Sequence, residues 1–503
     1  MTKGLYRPFI ARLIVICTVV TGGGLAGDLS RHLPDDPDQL RQPTSYATIT
    51  AFLNEAGRSP QIDVQVIGQS VENRNLYRVR LSRGKRKTAG WRILIYAQQH
   101  GNEPAGKEAA LYLIKKVAEN PAWLPNDVEI FIIPQVNPDG AEKNQRRNAR
   151  NTDLNRDHCL LDQPETRILH RTFRELQPQV AIDCHEFGRD SRDYSLRGWE
   201  KYPLIMMDCA NHPILDESIY SAGVAWCERL QPVLENQGYP YRRYYVGGVP
   251  PLEEQRHSTL ETDDGRNGLG LYGGLSFIIE SGIRYNTPDP NADLGQRVKA
   301  YLAIFDQFIR NTESRETDQR AILEARRARL PQALPTNYFW AKTSNQTSLL
   351  PVIDRLTRDT LMIPAPNFMD QRVIKKCVPA PKAYLIPHEF RPPFQQLMER
   401  HAIAAQVLTQ PEIRTVERCR LREIQIDDDL LYSRYSGRQV VVQDSVFTRE
   451  FDAGALLVPL DNADARRAAV LLEPYLVFGL YDQKLFRELI LPDSLLPVYR
   501  IME

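Results

Sequence analysis

Residues 92–97 and 128–133 are nearly continuous apolar runs rich in β-branched side chains, and the stretch between them, 105–117, has helical character and follows Pro104. Strand, helix, strand with no polar alternation is how strands buried on both faces read. The pattern recurs, with 165–176 helical, 180–183 a strand, 214–236 helical, 275–279 a strand and 298–309 helical. Ahead of it, 45–55 reads as a short amphipathic helix. Residues 62–67 and 76–81 alternate with a period of two across a polar turn at 72–75, which predicts an antiparallel pair. Together these elements predict an α/β domain, a mixed, largely parallel sheet sandwiched by helices. In such sheets ligands gather beyond the carboxyl ends of the strands.

The texture changes after residue 312. A charged helical stretch (315–329) and a proline break (331–335) lead to proline-punctuated segments, then a strand in KAYLIPHEF, a helix over 393–401, strands at 439–443 and 454–459 and a helix over 463–472. This reads as a second, smaller α/β or α+β domain of about 160 residues. The expected organisation is a signal peptide (1–27), an α/β domain (38–312), a helical linker (313–340) and a C-terminal accessory domain (341–503).

Basic and acidic residues nearly cancel, 64 against 63, which argues against a polyanionic partner such as nucleic acid. Lys3, Arg7 and Arg12 precede an apolar run at 13–20 and then small residues at 22–27, the layout of a secretory signal. No later run approaches the roughly 20 apolar residues needed to span a bilayer. Export to the periplasm or the exterior is expected, with no transmembrane span in the mature chain. Anchoring through an uncleaved signal or a lipidated Cys17 is the weaker reading, because Ile16 precedes that cysteine. Six cysteines follow, an even number for an oxidising compartment; a Cys377–Cys419 bridge is one pairing they allow, and Cys184 reads as a small buried strand residue.

Three polar clusters fall just past the predicted strands. His100 and Glu103, in QQHGNEPAG, sit three residues apart, and His185 follows the strand ending at Asp183. Two imidazoles and a carboxylate form a zinc-ligand set that leaves a fourth position open, which separates catalytic from structural zinc. The bland reading of each is a polar loop or a structural histidine. Between them, the loop from Asn137 to Asp157 carries several guanidinium groups; it suits either anion capture or simple solvation. Glu280 interrupts the apolar strand in GGLSFIIESG. A carboxylate there must be paired, solvated or functional: a general base, or an ion-pair partner of Arg284 or Arg266.

The ordered set HGNE, NPDG, RRNARNTDLNRD, DCHE and SFIIES, preceded by GQSVENRNLYRVRLS, resembles the zinc carboxypeptidase family, the carboxypeptidase A-like metallopeptidases, over about residues 45–309. The resemblance implies one Zn²⁺ per chain held by His100, Glu103 and His185, with Glu280 as general base and zinc-activated water attacking the C-terminal peptide bond. It implies that Arg146, or its neighbour Arg147, steadies the oxyanion and that Asn155 and Arg156 hold a peptide's free C-terminal carboxylate. Asp153 would accept from His100. Asn102 stands where pancreatic members carry arginine. The substrate-capping tyrosine has no clear counterpart; Tyr272 and Tyr245 are the nearest, with Arg266 or Asn267 adding to the pocket. TDDGRNGLGLYGG before Glu280 and the C-terminal extension are similar to bacterial members. The resulting expectation is an exported zinc metallocarboxypeptidase. The alternatives are a zinc amidase of the same fold acting on murein peptides or N-acyl amino acids, and a non-catalytic binding protein.

Overall fold

The computed structural model describes residues 28–83, 90–343, 347–425, 438–477, 479–480 and 494–503. The expected signal segment and Cys17 lie outside them.

Eight strands form the central sheet, in the order Ile62–Gln69, Asn75–Ser82, Val128–Ile133, Trp91–Ala97, Val180–Gly188, Leu275–Ile283, Ile205–Cys209, Tyr241–Arg243. The middle four run parallel, and antiparallel pairings flank them on both sides. The middle four strands are largely apolar because both of their faces are covered, whereas Ile62–Gln69 and Asn75–Ser82 at one edge alternate. Ile93, Ile95, Ile130, Ile132 and Ile182 face a core built with helices Ala105–Glu119, Glu217–Asn236 and Leu294–Arg310. Their alternates Leu94, Tyr96, Phe131 and Ile133 pack on Leu169 and Phe173 of helix Pro164–Leu176. Each fully buried aliphatic side chain contributes about 1.5–3 kcal/mol, so the sheet is a stiff platform for whatever its strand ends carry.

The helix expected from residue 214 begins at Glu217, where the Asp216 carboxylate accepts from the Ser218 amide and stops the helix from extending upstream. Cys377 and Cys419 are both free thiols, the first exposed and the second buried.

Beyond the helix Arg315–Arg327, two pieces of chain pair with strands that precede residue 312. The hairpin Ser348–Asp354/Thr360–Ala365 pairs with Trp199–Lys201, and Phe368–Met369 pairs with Gln255–His257. Ala333–Ala341, most of which falls in the expected helical linker, is instead a strand paired antiparallel with Gln371–Pro379, and a further six-stranded sheet includes the long pair Glu412–Gln425 and Arg438–Phe451. Helices Arg391–His401 and Ala465–Leu472 supply the core on one face through Phe394, Leu397, Ala468 and Leu472. Buried Arg500 is balanced by Glu417 at 2.7 Å and Glu473 at 3.3 Å, and Tyr384 donates to Glu473 at 2.8 Å. His401 reaches back to the carbonyl of Cys159 at 2.8 Å. Among the described residues no helix is long and apolar enough to cross a membrane.

Candidate metal centre and active site

Parallel pairing places the polar clusters side by side. His100 and Glu103 follow the end of Trp91–Ala97, His185 lies in the next strand, Val180–Gly188, and Glu280 lies in the one after that, in register with His185. All four side chains are buried.

The metal-ligand atoms converge. His100 Nδ1 is 2.8 Å from Glu103 Oε1, His185 Nδ1 is 2.9 Å from Glu103 Oε2, and the two Nδ1 atoms are 3.0 Å apart. Ligands of a tetrahedral zinc at its usual bond lengths stand about 3.3 Å from one another, so this cluster is slightly tighter than a metal's coordination shell and a small expansion would admit the ion. The far ring nitrogens are held: His100 Nε2 lies 3.0 Å from Asp153 Oδ1, and His185 Nε2 lies 2.9 Å from Asp183 Oδ1. A carboxylate on Nε2 favours the proton there and leaves Nδ1 with its lone pair pointing inward. The donor set therefore fits a divalent, borderline-soft ion such as Zn²⁺. A second group, Asp208, Cys209 and Cys227, also clusters. Its carboxylate is already engaged by Arg243 at 2.9 Å and Ser258, and burial pushes the Cys227 thiol far up.

The NPDG motif shapes this loop. Asn137 caps its own short helix by accepting from Gly140 N at 2.9 Å, while its amide donates to the carbonyls of Gln99 at 3.1 Å and Arg146 at 3.3 Å. Gly101 packs directly on Gly140: a Cβ on Gly101 would sit 2.1 Å from Gly140 C and 2.3 Å from Ala141 N. Asp139 is fully buried and accepts from Ser70 at 2.8 Å, the Glu72 amide at 2.9 Å and Arg74 at 2.6 Å, which gives GQSVENR its structural purpose. Because the obstacles are backbone atoms, Gly101→Ala should cost about 3 kcal/mol, the upper part of the overpacking range. The check is a lowered denaturation midpoint at an unchanged m value.

Glu280 is 7 % exposed, and its Oε2 has no hydrogen-bond partner. Neither candidate ion pair forms: Arg284 is taken by Glu200 and Asp293, and Arg266 by Asp264. Burial pushes the Glu280 carboxyl up to about 7, against the pull of the nearby histidines. It faces the partly buried phenol of Tyr244, which also lines the cavity.

A cavity of about 320 Å³ opens beside the cluster, lined by His100, Glu103, Arg146, Asn155, Arg156 and Glu280 among others. Arg146 turns into it, donating from Nε to Asp153 at 2.9 Å and from Nη1 to Glu103 at 3.4 Å; Arg147 turns away to the carbonyl of Asn151. Asn155 lies 3.3 Å from His185 Nε2 and accepts from Gly265 N at 2.7 Å. Burial opposes the charge on Arg156, but the carboxylates of Asp263, Asp153, Glu261 and Asp264 more than restore it.

Arg266 lines the cavity but is buried and bound to Asp264 at 2.8 Å and the Thr259 carbonyl at 2.6 Å, which makes it part of the wall. Asn267 does not line the cavity; it is fully buried and bonded to Asn211 and the Glu261 carbonyl. Tyr272 is elsewhere, donating or accepting at 3.0 Å with His170, which meets His158 at 2.9 Å; burial pushes His158 down to about 3. Tyr245 is buried against Phe368. Tyr244 is the aromatic hydroxyl beside Glu280, and no spacing in the sequence marks it. Asp183 was open to reading, since it lies two residues before His185 and so on the same face of the strand.

Residues 49–193 match the family model described as zinc carboxypeptidase. Carboxypeptidase 2 of Trichophyton rubrum is 28 % identical over 237 residues, covering 46 % of this chain and 42 % of that protein. Carboxypeptidase 2 of Trichophyton tonsurans is 25 % identical over 475 residues, covering 87 % and 83 %. The chain thus spans under half the length of the first of these relatives. A metallo-carboxypeptidase from Burkholderia cenocepacia superposes with a TM-score of 0.42 at 20 % identity, covering 53 % of this chain and 70 % of that one. The matched segment, 49–193, holds the convergent histidines and carboxylate together with the asparagine clamp that shapes their loop, and over that segment the chain is similar to the zinc carboxypeptidases.

Proposed function

We propose that this protein is an exported zinc metallocarboxypeptidase that removes the C-terminal residue of peptides. The observation that carries the reading is the convergence of His100 Nδ1, Glu103 and His185 Nδ1 beside a buried carboxylate, Glu280, at one end of an arginine-bearing cavity. One Zn²⁺ held by the three ligands would supply a Lewis acid that polarises the scissile carbonyl and acidifies water.

The chain's own groups do the rest. Glu280 accepts a proton from the attacking water and returns it to the leaving amine nitrogen, a task suited by a carboxyl whose pKa burial has raised. Arg146 faces the same space and offers its outer N–H groups to the developing oxyanion. Asn155 and Arg156 bind the free carboxylate of the terminal residue and so restrict cleavage to the chain end. Asp153 and Asp183 keep both histidines turned with Nδ1 inward.

A panel of peptides with free and amidated C-termini tests the reading. Release of terminal residues from the free ends alone is the expected result; equal cleavage of both sets, or internal cleavage, would refute it. Arg156→Ala should weaken binding of free-ended substrates by about 1.5–3 kcal/mol, read as a raised KM, through loss of a charge-assisted hydrogen bond.

A further inference from the structure

A second cavity, of about 330 Å³, lies where the C-terminal domain meets the helix Pro164–Leu176 and the loop at Tyr272. Four guanidinium groups line it, those of Arg174, Arg326, Arg466 and Arg467, with Asp464 as the one lining carboxylate. Asp464 is bound to Arg467, which also stacks over Tyr272 at 4.2 Å from the ring centroid. Arg466 reaches Asp216 at 3.4 Å but leaves a buried Nε with no acceptor. Among the described residues Arg174 and Arg326 have no carboxylate partner. Arg174 makes one 3.5 Å contact with the Tyr272 hydroxyl, and Arg326 donates to the carbonyls of Gln177 and Pro178. The helix Ala465–Leu472 also begins at the cavity, and the side chain of its N-cap residue, Asp464, does not cap it.

Like charges gathered round one partly enclosed space repel, and burial already lowers the pKa of Arg326. An oxyanion removes that repulsion, accepts from several guanidinium N–H groups at once and complements the helix N-terminus. We propose that this cavity binds a small, multiply charged oxyanion of the phosphate class, which bridges the catalytic domain and its C-terminal extension. Its walls come from both: Arg174 and Tyr272 on one side, Arg466 and Arg467 on the other, with Arg326 on the connecting helix. The site is separate from the metal centre and does not depend on the peptidase reading.

Isothermal titration of inorganic phosphate into the full chain, at ionic strength held constant with sodium chloride, tests it. One saturable site per chain is expected, with the affinity weakened at least about tenfold in Arg174→Gln and further in Arg326→Gln, each of which removes one charged donor. Arg174 makes so few contacts that its variant should match the wild type in melting temperature in chloride alone. Arg156→Ala, which alters the other arginine-bearing cavity, should leave the affinity unchanged. The absence of saturable binding, unaltered affinity in Arg174→Gln, or loss of binding in Arg156→Ala would each overturn the proposal.

Discussion

Glu280→Gln should lower kcat by about 10²–10⁴, the usual contribution of a positioned general base, while zinc content stays at the wild-type level. The substitution is nearly isosteric. Glu280 makes no ion pair that its loss would break, and its Oε2 is already without a partner. The loss should therefore appear as chemistry rather than as misfolding, with the melting temperature unchanged or raised. The pH profile offers a second readout. Glu280 must be ionised to take a proton, and burial raises its pKa from 4.5 to about 7. A bound cation acts in the opposite sense, so the acid limb of kcat/KM should fall between those two values. Activity is lost as the pH drops through that limb and retained above it. A Gln variant with near-normal turnover would contradict the base assignment.

His185→Ala should lose both zinc and activity. Among the described residues its Nδ1 is one of three converging ligand groups, and its Nε2 lies 2.9 Å from Asp183 Oδ1. Truncation removes a ligand, leaves the Asp183 and Glu103 carboxylates buried without that partner, and opens a void at a strand position paired with Glu280. The two variants separate roles: Glu280→Gln keeps the metal and loses turnover, whereas His185→Ala loses both. Metal analysis after dialysis, run beside the peptide assay, distinguishes them. Near-wild-type zinc content in His185→Ala would remove that histidine from the ligand set.

The parallel strands were legible because a strand buried on both faces has nothing polar to hide; residues 92–97, 128–133 and 275–279 all declare themselves that way. His100, Glu103, His185 and Glu280 were legible because polar groups within or just beyond such strands need a reason to be there, although His185 lies inside its strand rather than after it. Other features depend on contacts distant in sequence. Ile205–Cys209 is short and lies between loops, so nothing local marks it as the strand antiparallel to Leu275–Ile283. The hairpin from Ser348 to Ala365 contains Pro351 and Pro364, which argue locally against a strand, yet it adds to Trp199–Lys201. The pair Glu412–Gln425 and Arg438–Phe451 is dense in charge along one face, as Arg418 and Arg420 meeting Asp444 illustrate, which obscures its period of two. Arg146 and Arg147 are indistinguishable as residue types; only the turn held by Asn137 and Gly101 aims one into the cavity and the other out. Tyr244 reaches Glu280 through the packing of the strand edge, a relation that no spacing rule encodes.

The most direct test is a zinc titration of the metal-stripped protein with release of C-terminal residues as the readout. Activity should be absent without metal, rise in proportion to zinc added and level off at one zinc per chain, with His185→Ala inert throughout. Full activity in the metal-free protein, or stoichiometric zinc binding with no release from any free-ended peptide, would contradict a hydrolytic centre built on His100, Glu103 and His185.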